Sequence, residues 1–156
     1  AVQAGIRLHR AIDTFTDQHP VVRRSTQRLR EAGYGKYAGV ISDVFLDHFL
    51  ARNFADYSTE PLAVFVPRLY KLLQQHQAVM PERAQRTLHY MALHNWLLGY
   101  AFLEGINRAL NGLSQRARPG SGMETAGEEL QRNYAAYEAD FREFFPELQE
   151  LVSSLL

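Results

Sequence analysis

Residues 36–56 read KYAGVISDVFLDHFLARNFAD. The apolar positions recur at helical rather than alternating spacing, over several turns and with no proline. At about 100° per residue, Val40, Val44, Leu50 and Phe54 surround the direction taken by Asp43 and Asp47, while Ile41, Phe45 and Phe49 fill the other side, beside His48. A helix apolar nearly all round belongs in a core. Two carboxylates on its inner face would be costly without partners. A divalent cation would satisfy both; so would arginines of a neighbouring helix, or exposure as a stripe at one helix end.

The same period runs outward in both directions, and no strand alternation is sustained. The spacing predicts a first helix over about Val2–Thr16, ending before His19-Pro20. Pro20 can open a second, to about Ala32, which Gly33 and Gly35 end. The central helix covers about Lys36–Asp56. Ser58-Thr59-Glu60-Pro61 signals a fourth, to about Gln77. Pro81 starts a fifth, rich in aromatics through Trp96 and Tyr100, breaking near Gly99 and resuming over Glu104–Arg116. Residues 117–124 form a flexible loop around Arg118-Pro119-Gly120-Ser121-Gly122. A long helix follows over about Thr125–Phe145, and Pro146 begins a short last one. The expected fold is all-α: one domain over residues 1–156, a bundle of about six to eight helices.

Composition narrows function mostly by exclusion. Seventeen basic and seventeen acidic residues cancel to +0, so charge points to neither nucleic acid nor a membrane surface. There is no Cys, which excludes disulfides, thiolate nucleophiles and Cys-based zinc sites and suits a reducing, cytoplasmic setting. No run is apolar enough to span a bilayer. Phosphate-cradling glycine loops, nucleophile elbows and His-Glu-x-x-His are all missing.

Two patterns carry chemistry. His9 and Asp13 are four apart on the first helix, as are Asp43 and Asp47 on the third, with His48 adjacent. Imidazole plus carboxylate is the ligand set of a hydrolytic metal centre. On the first helix Leu8, Ala11, Ile12 and Phe15 make the buried stripe; His9, Asp13 and Thr16 lie on its border, where a cleft could reach them, and Asp17 points further toward solvent. The bland alternatives are a surface His9–Asp13 hydrogen bond and a packed His48. Arg23, Arg24, Arg28 and Arg30 make the second helix basic, either a solvated face or a docking surface for an acidic partner. His76 is expected exposed, His19 structural, His89 and His94 core or subsurface. Tyr90, Trp96, Tyr100 and Phe102 are expected in the core, and Tyr134, Tyr137, Phe141, Phe144 and Phe145 form a stripe packing the last long helix.

Several of these segments together resemble the acyl carrier protein phosphodiesterase family. They are Ala4-Gly5-Ile6-x-Leu8-His9-Arg10-Ala11-Ile12-Asp13, Thr16-Asp17, Pro20-x-Val22-Arg23, Asp43-x-x-x-Asp47-His48-Phe49-Leu50, Trp96-Leu97, Leu110-Asn111-Gly112-Leu113-x-x-Arg116 and Tyr134-x-x-x-Glu138-x-x-Phe141. The resemblance covers nearly the whole chain in order. It implies an HD-domain-like helical hydrolase that cuts the phosphodiester joining 4′-phosphopantetheine to a serine of holo acyl carrier protein, leaving the apo carrier. It also implies a divalent metal, Mn2+ before Mg2+, with His9, Asp13, Asp43, Asp47 and His48 as metal-site positions. Among these Asp47, His48 and His9 would be catalytic. Arg10 and Arg52 would steady the phosphate, while Arg23, Arg24 and Arg28 would meet the acidic carrier. The family pattern opens with further His and Asp ahead of Ala1, so an incomplete ligand set is expected from these residues alone. The rival expectations are an HD-type nucleotide phosphohydrolase and a non-catalytic helical interaction module.

Overall fold

A computed structural model describes residues 2–156. Among them are nine α-helices, joined by short connections and four 3-10 turns, and no strand. The helices are α1 (Val2–Gln18), α2 (Pro20–Glu31), α3 (Ala38–Arg52), α4 (Leu62–Gln75), α5 (Glu82–Leu93), α6 (Trp96–Gly99), α7 (Leu103–Arg116), α8 (Ala126–Arg132) and α9 (Tyr134–Leu155). α3 is the central element. Its Ala38, Ile41, Val44, Phe45 and Phe49 are buried against Leu29 of α2, Ile106 and Leu110 of α7, Leu130 of α8 and Tyr137 and Phe141 of α9. α1 closes the flank of this core: Phe15 packs on Val21, Val22 and Phe144. A second cluster, Val66, Tyr70 and Leu88, holds α4, α5 and α6 together.

The local signals explain most boundaries. Pro20 does open α2, and His19 caps it, its Nδ1 accepting from the Val21 N–H at 3.2 Å. His19 is structural as expected; its Nε2 meets Glu147 at 2.9 Å, tying the turn to α9. Gly33, at φ +101°, lets the chain leave α2 left-handed, with Tyr34 N–H donating to the Leu29 carbonyl at 3.1 Å.

Three boundaries differ from expectation. Asn95, at φ 52°, separates α5 from α6 before Gly99 is reached; asparagine tolerates the left-handed region better than most residues. Pro146 lies inside α9 rather than opening a new helix. A mid-helix proline forfeits one hydrogen bond, and Phe141, Phe144 and Leu148 hold α9 to the bundle on both sides of it. The long C-terminal segment instead breaks at Asn133. There the buried carboxylate of Glu129 accepts from Asn133 Nδ2 and from the Tyr137 hydroxyl, both at 2.9 Å. The 117–124 connection carries the buried Ser121, whose hydroxyl meets that of Ser114 at 3.0 Å, and Met123, which enters the core.

The basic face of α2 is a packing surface in part. Asp140 of α9, 3% exposed, accepts from Ser25 Oγ at 2.6 Å, Arg24 Nε at 2.8 Å and Arg28 Nη1 at 2.9 Å. Arg24 also reaches Glu143 at 2.7 Å, and the Arg28 guanidinium lies 4.7 Å over the Tyr137 ring. Arg24 and Arg28, expected at the carrier interface, are therefore engaged in joining α2 to α9. Removing one partner of a buried pair costs about 3–5 kcal/mol. Since both arginines still reach water, Asp140→Ala should lower unfolding free energy by about 2–3 kcal/mol in a urea titration. A wild-type midpoint would show that the cluster contributes nothing.

Candidate active site

The i, i+4 spacing on α3 places Asp43 and Asp47 on one side of the helix, as expected. Their environment differs from expectation. Neither is buried, and among the described residues neither has an ion-pair or hydrogen-bond partner. They form a ridge that is a wall of two clefts at once. One cleft, about 420 Å3, lies between α1, α3 and α9, and Asp13, Thr16 and Asp17 of α1 face the ridge across it. The other, about 490 Å3, lies between α3, α6 and α7, and carries Trp96, Tyr100, Arg108 and Arg116.

Four carboxylates therefore share the first cleft. Their side chains reach water, but the groove walls displace much of it. Desolvation, then the charges of Asp17 and Asp13, push Asp43 up to about 6. Desolvation, then the charge of Asp43, push Asp47 up to about 6. Both folded values exceed the ordinary 3.8. The native state thus binds protons that the unfolded chain has released, and stability falls as pH rises from about 4 through about 6. Solvent access limits the loss to about 1 kcal/mol per group. In chelator, Asp43→Asn should flatten this pH slope in denaturant titrations; an unchanged slope would contradict the assignment.

The remaining expected site residues divide. Asp13 lines the acid cleft; His9 does not, but its Nε2 meets Asp13 Oδ2 at 3.2 Å on the exposed outer side of α1. Arg10 and Arg23 are exposed on α1 and α2, outside both clefts. His48 is not with the acids at all. It is fully buried on the other side of α3, between the Tyr100 carbonyl, 2.8 Å from Nδ1, and the Tyr134 hydroxyl, 2.8 Å from Nε2. A carbonyl only accepts, so Nδ1 carries the proton and Nε2 accepts from Tyr134. Burial pulls the imidazole below its ordinary value, so it stays neutral. With both nitrogens occupied, His48 is a core histidine, and this corrects its expected place among the ligands. Arg52 lies on the same side, 5.9 Å from the Tyr134 ring, and lines neither cleft.

Several residues of the second cleft were expected elsewhere. Trp96 and Tyr100, expected in the core, line it, while Tyr90 and Phe102 are 54% and 67% exposed. His89 and His94, also expected core or subsurface, are exposed, and His94 lies at the cleft edge. α5 buries only Leu88, because it packs on α4 and α6 rather than on the main core. Burial raises the Tyr100 phenol, the Asp47 charge raises it further, and the positive charge of Arg116 lowers it, so the group stays a neutral O–H donor between the two. Asp17 and Arg116 lay in the segments that resemble the family but had no role assigned, and Asp17, expected to point toward solvent, lines the acid cleft; Arg108 joins the site with no local pattern marking it. Only the i, i+4, i+8 series Arg108, Gly112, Arg116 puts both guanidinium groups on one face of α7.

The residues present suit a hard cation. The donors are all oxygen, and their charge is uncompensated. Among the described residues no three metal-ligating side chains stand close enough to form a closed cage.

The model of a family described as acyl carrier protein phosphodiesterase matches residues 1–148. The chain belongs to that family. A Photorhabdus laumondii acyl carrier protein phosphodiesterase is 31% identical over 150 residues, 96% of this chain and 75% of that protein. An Escherichia coli protein of the same name is 31% identical over 156 residues, 97% of this chain and 79% of its own length. A Pectobacterium atrosepticum one is 28% identical over 154 residues, 98% and 79%. No solved structure matches. The family is one of hydrolases, which agrees with an acidic, water-accessible ridge. No described helix is long and apolar enough to cross a membrane.

Proposed function

We propose that this acyl carrier protein phosphodiesterase family member hydrolyses the phosphodiester between 4′-phosphopantetheine and a serine of holo acyl carrier protein, at the Asp43–Asp47 ridge, in the cytoplasm. The carrying observation is a pair of unpartnered carboxylates where an acidic cleft meets an arginine-bearing one. Asp43 and Asp47 would hold Mn2+ or Mg2+. The cation would neutralise the phosphodiester charge and polarise phosphorus toward attack by water. Water adds its oxygen to phosphorus, the bond from phosphorus to the serine oxygen breaks, and the serine oxygen takes up a proton. Asp13, which lines the same cleft as the ridge and meets His9, would take the water's proton and return it. His48 contributes by holding α3 in register with Tyr100 and Tyr134.

The carrier's approach is assigned to α5 and α7 rather than to Arg24 and Arg28. Arg83, Arg86 and Arg116 surround a groove with Tyr90 and Trp96 that adjoins the second cleft. None of the three is in an ion pair among the described residues. Joint Arg83→Glu and Arg86→Glu replacement should raise KM for holo carrier by about tenfold, with a weakened salt dependence and little change in kcat. An unchanged KM would return the docking face to α2.

The deciding experiment is mass spectrometry of holo carrier protein incubated with the enzyme in Mn2+, Mg2+ or chelator. Loss of the phosphopantetheine mass in metal but not in chelator is expected. No loss with either metal, or equal turnover of generic nucleotides, would overturn the proposal.

A further inference from the structure

We infer that the cleft between α3, α6 and α7 is a binding site for a phosphorylated pantetheine arm, with Arg108 and Arg116 on its phosphate and Trp96 along its chain. The assignment rests on the proposed reaction but is argued from different features. The two clefts that share the Asp43–Asp47 ridge differ in charge: one is purely acidic, while the other sets arginines opposite the same two carboxylates. The α1 side adds Asp13 and Asp17, which repel an anion. The α7 side adds Arg108 and Arg116, neither in an ion pair among the described residues. A guanidinium offers a planar fork of donors that fits phosphate oxygens two at a time. The neutral Tyr100 O–H, under the influence of both Asp47 and Arg116, adds a third donor beside them.

Away from those groups the walls turn apolar: Val40 and Val44 of α3 face Ala109 and Leu113 of α7. A cavity of about 490 Å3 lies within the usual range of small-molecule sites, roughly 300–1,000 Å3. An anionic head with a long, thin, largely uncharged tail matches this division, whereas a polyanion would leave charge against the apolar end. The site is also held in shape. A side chain at Gly105 would run into the Gly99 carbonyl, so α6 and α7 meet backbone to backbone. That contact sets Trp96 and Tyr100, just before and after Gly99, against the arginine face of α7.

Trp96 is the only tryptophan, so the chain's indole fluorescence reports on this cleft. The test is titration of the full chain, with and without Mg2+, using 4′-phosphopantetheine and then pantetheine, which lacks the phosphate. 4′-Phosphopantetheine should give a saturable change, and pantetheine should bind on the order of tenfold more weakly. Arg108→Ala and Arg116→Ala should each weaken 4′-phosphopantetheine by about tenfold, leaving pantetheine binding and the thermal melt as they were. Arg23→Ala, outside the cleft, should change nothing. No saturable change up to millimolar 4′-phosphopantetheine, equal binding of the two ligands, or wild-type binding by both arginine variants would overturn the assignment. Hydrolysis is not the readout. Turnover of holo carrier with failed 4′-phosphopantetheine binding would therefore sink this site alone, and binding without turnover would sink only the proposed reaction.

Discussion

Asp47→Asn should reduce turnover of holo carrier protein by about a hundred- to a thousandfold, the usual loss when one electrostatic group of an active site is removed, and yet leave the protein at least as stable as before. Most replacements that abolish activity by disturbing structure also lower the melting temperature. This one has nothing to disturb, because no described side chain pairs with Asp47. Its carboxylate stands in a groove that disfavours its charge, and that charge is further opposed by Asp43. Asparagine keeps the shape and removes the repulsion. With screening by solvent the gain should be about 0.5–1 kcal/mol above about pH 6, fading as the pH falls below it. The measurement is kcat/KM on holo carrier beside a thermal melt in chelator. Full turnover would remove Asp47 from the chemistry; a large drop in melting temperature would make it a structural group. The Mn2+-induced rise in melting temperature, which arises from binding to the native state alone, should be lost in the same variant.

His48→Leu should show the reverse pattern. Leucine nearly fills the imidazole's space but leaves the Tyr134 hydroxyl and the Tyr100 carbonyl without the partners they have at 2.8 Å. Each orphaned buried group costs about 1–3 kcal/mol, so the variant should lose about 2–4 kcal/mol in all. For a chain of this size that is a melting temperature lower by roughly 5–15 °C. Below the variant's melting range, kcat and the Mn2+-induced stabilisation should remain close to wild type, since His48 lines neither cleft. A stable His48→Leu protein without metal response would restore His48 to the ligand set. The pH profile offers a second check. The native imidazole refuses a proton that the unfolded chain accepts near pH 6.5. Wild type therefore loses stability as pH falls through that value, and His48→Leu should lack this loss.

His48 and Asp47 show where local inference stops. Consecutive residues on a helix point about 100° apart, so adjacency in sequence did not mean a shared site. The side that each one faces was set by the end of α6 and the start of α9, whose packing brings Tyr100 and Tyr134 onto His48 from 52 and 86 positions away. Arg24 and Arg28 make the same point. Their charge and spacing were visible on α2, but their engagement by Asp140, 116 and 112 positions away, arises only when α9 lies across α2.

Features set by physics within a few residues were readable directly. Helical period, Pro20 and Gly33 established an all-α fold and the ends of α2, and four-residue spacing put Asp43 and Asp47 on one face of α3. These depend on neighbouring torsions and short-range hydrogen bonds, so sequence suffices for them. Tertiary packing decided the rest: that this face is a ridge between two clefts, that Asp13 and Asp17 oppose it on one side and Arg108 and Arg116 on the other, and that Pro146 stays inside α9. Each of these is a contest between remote surfaces for burial and charge, settled by which helices meet, and no local pattern encodes that meeting.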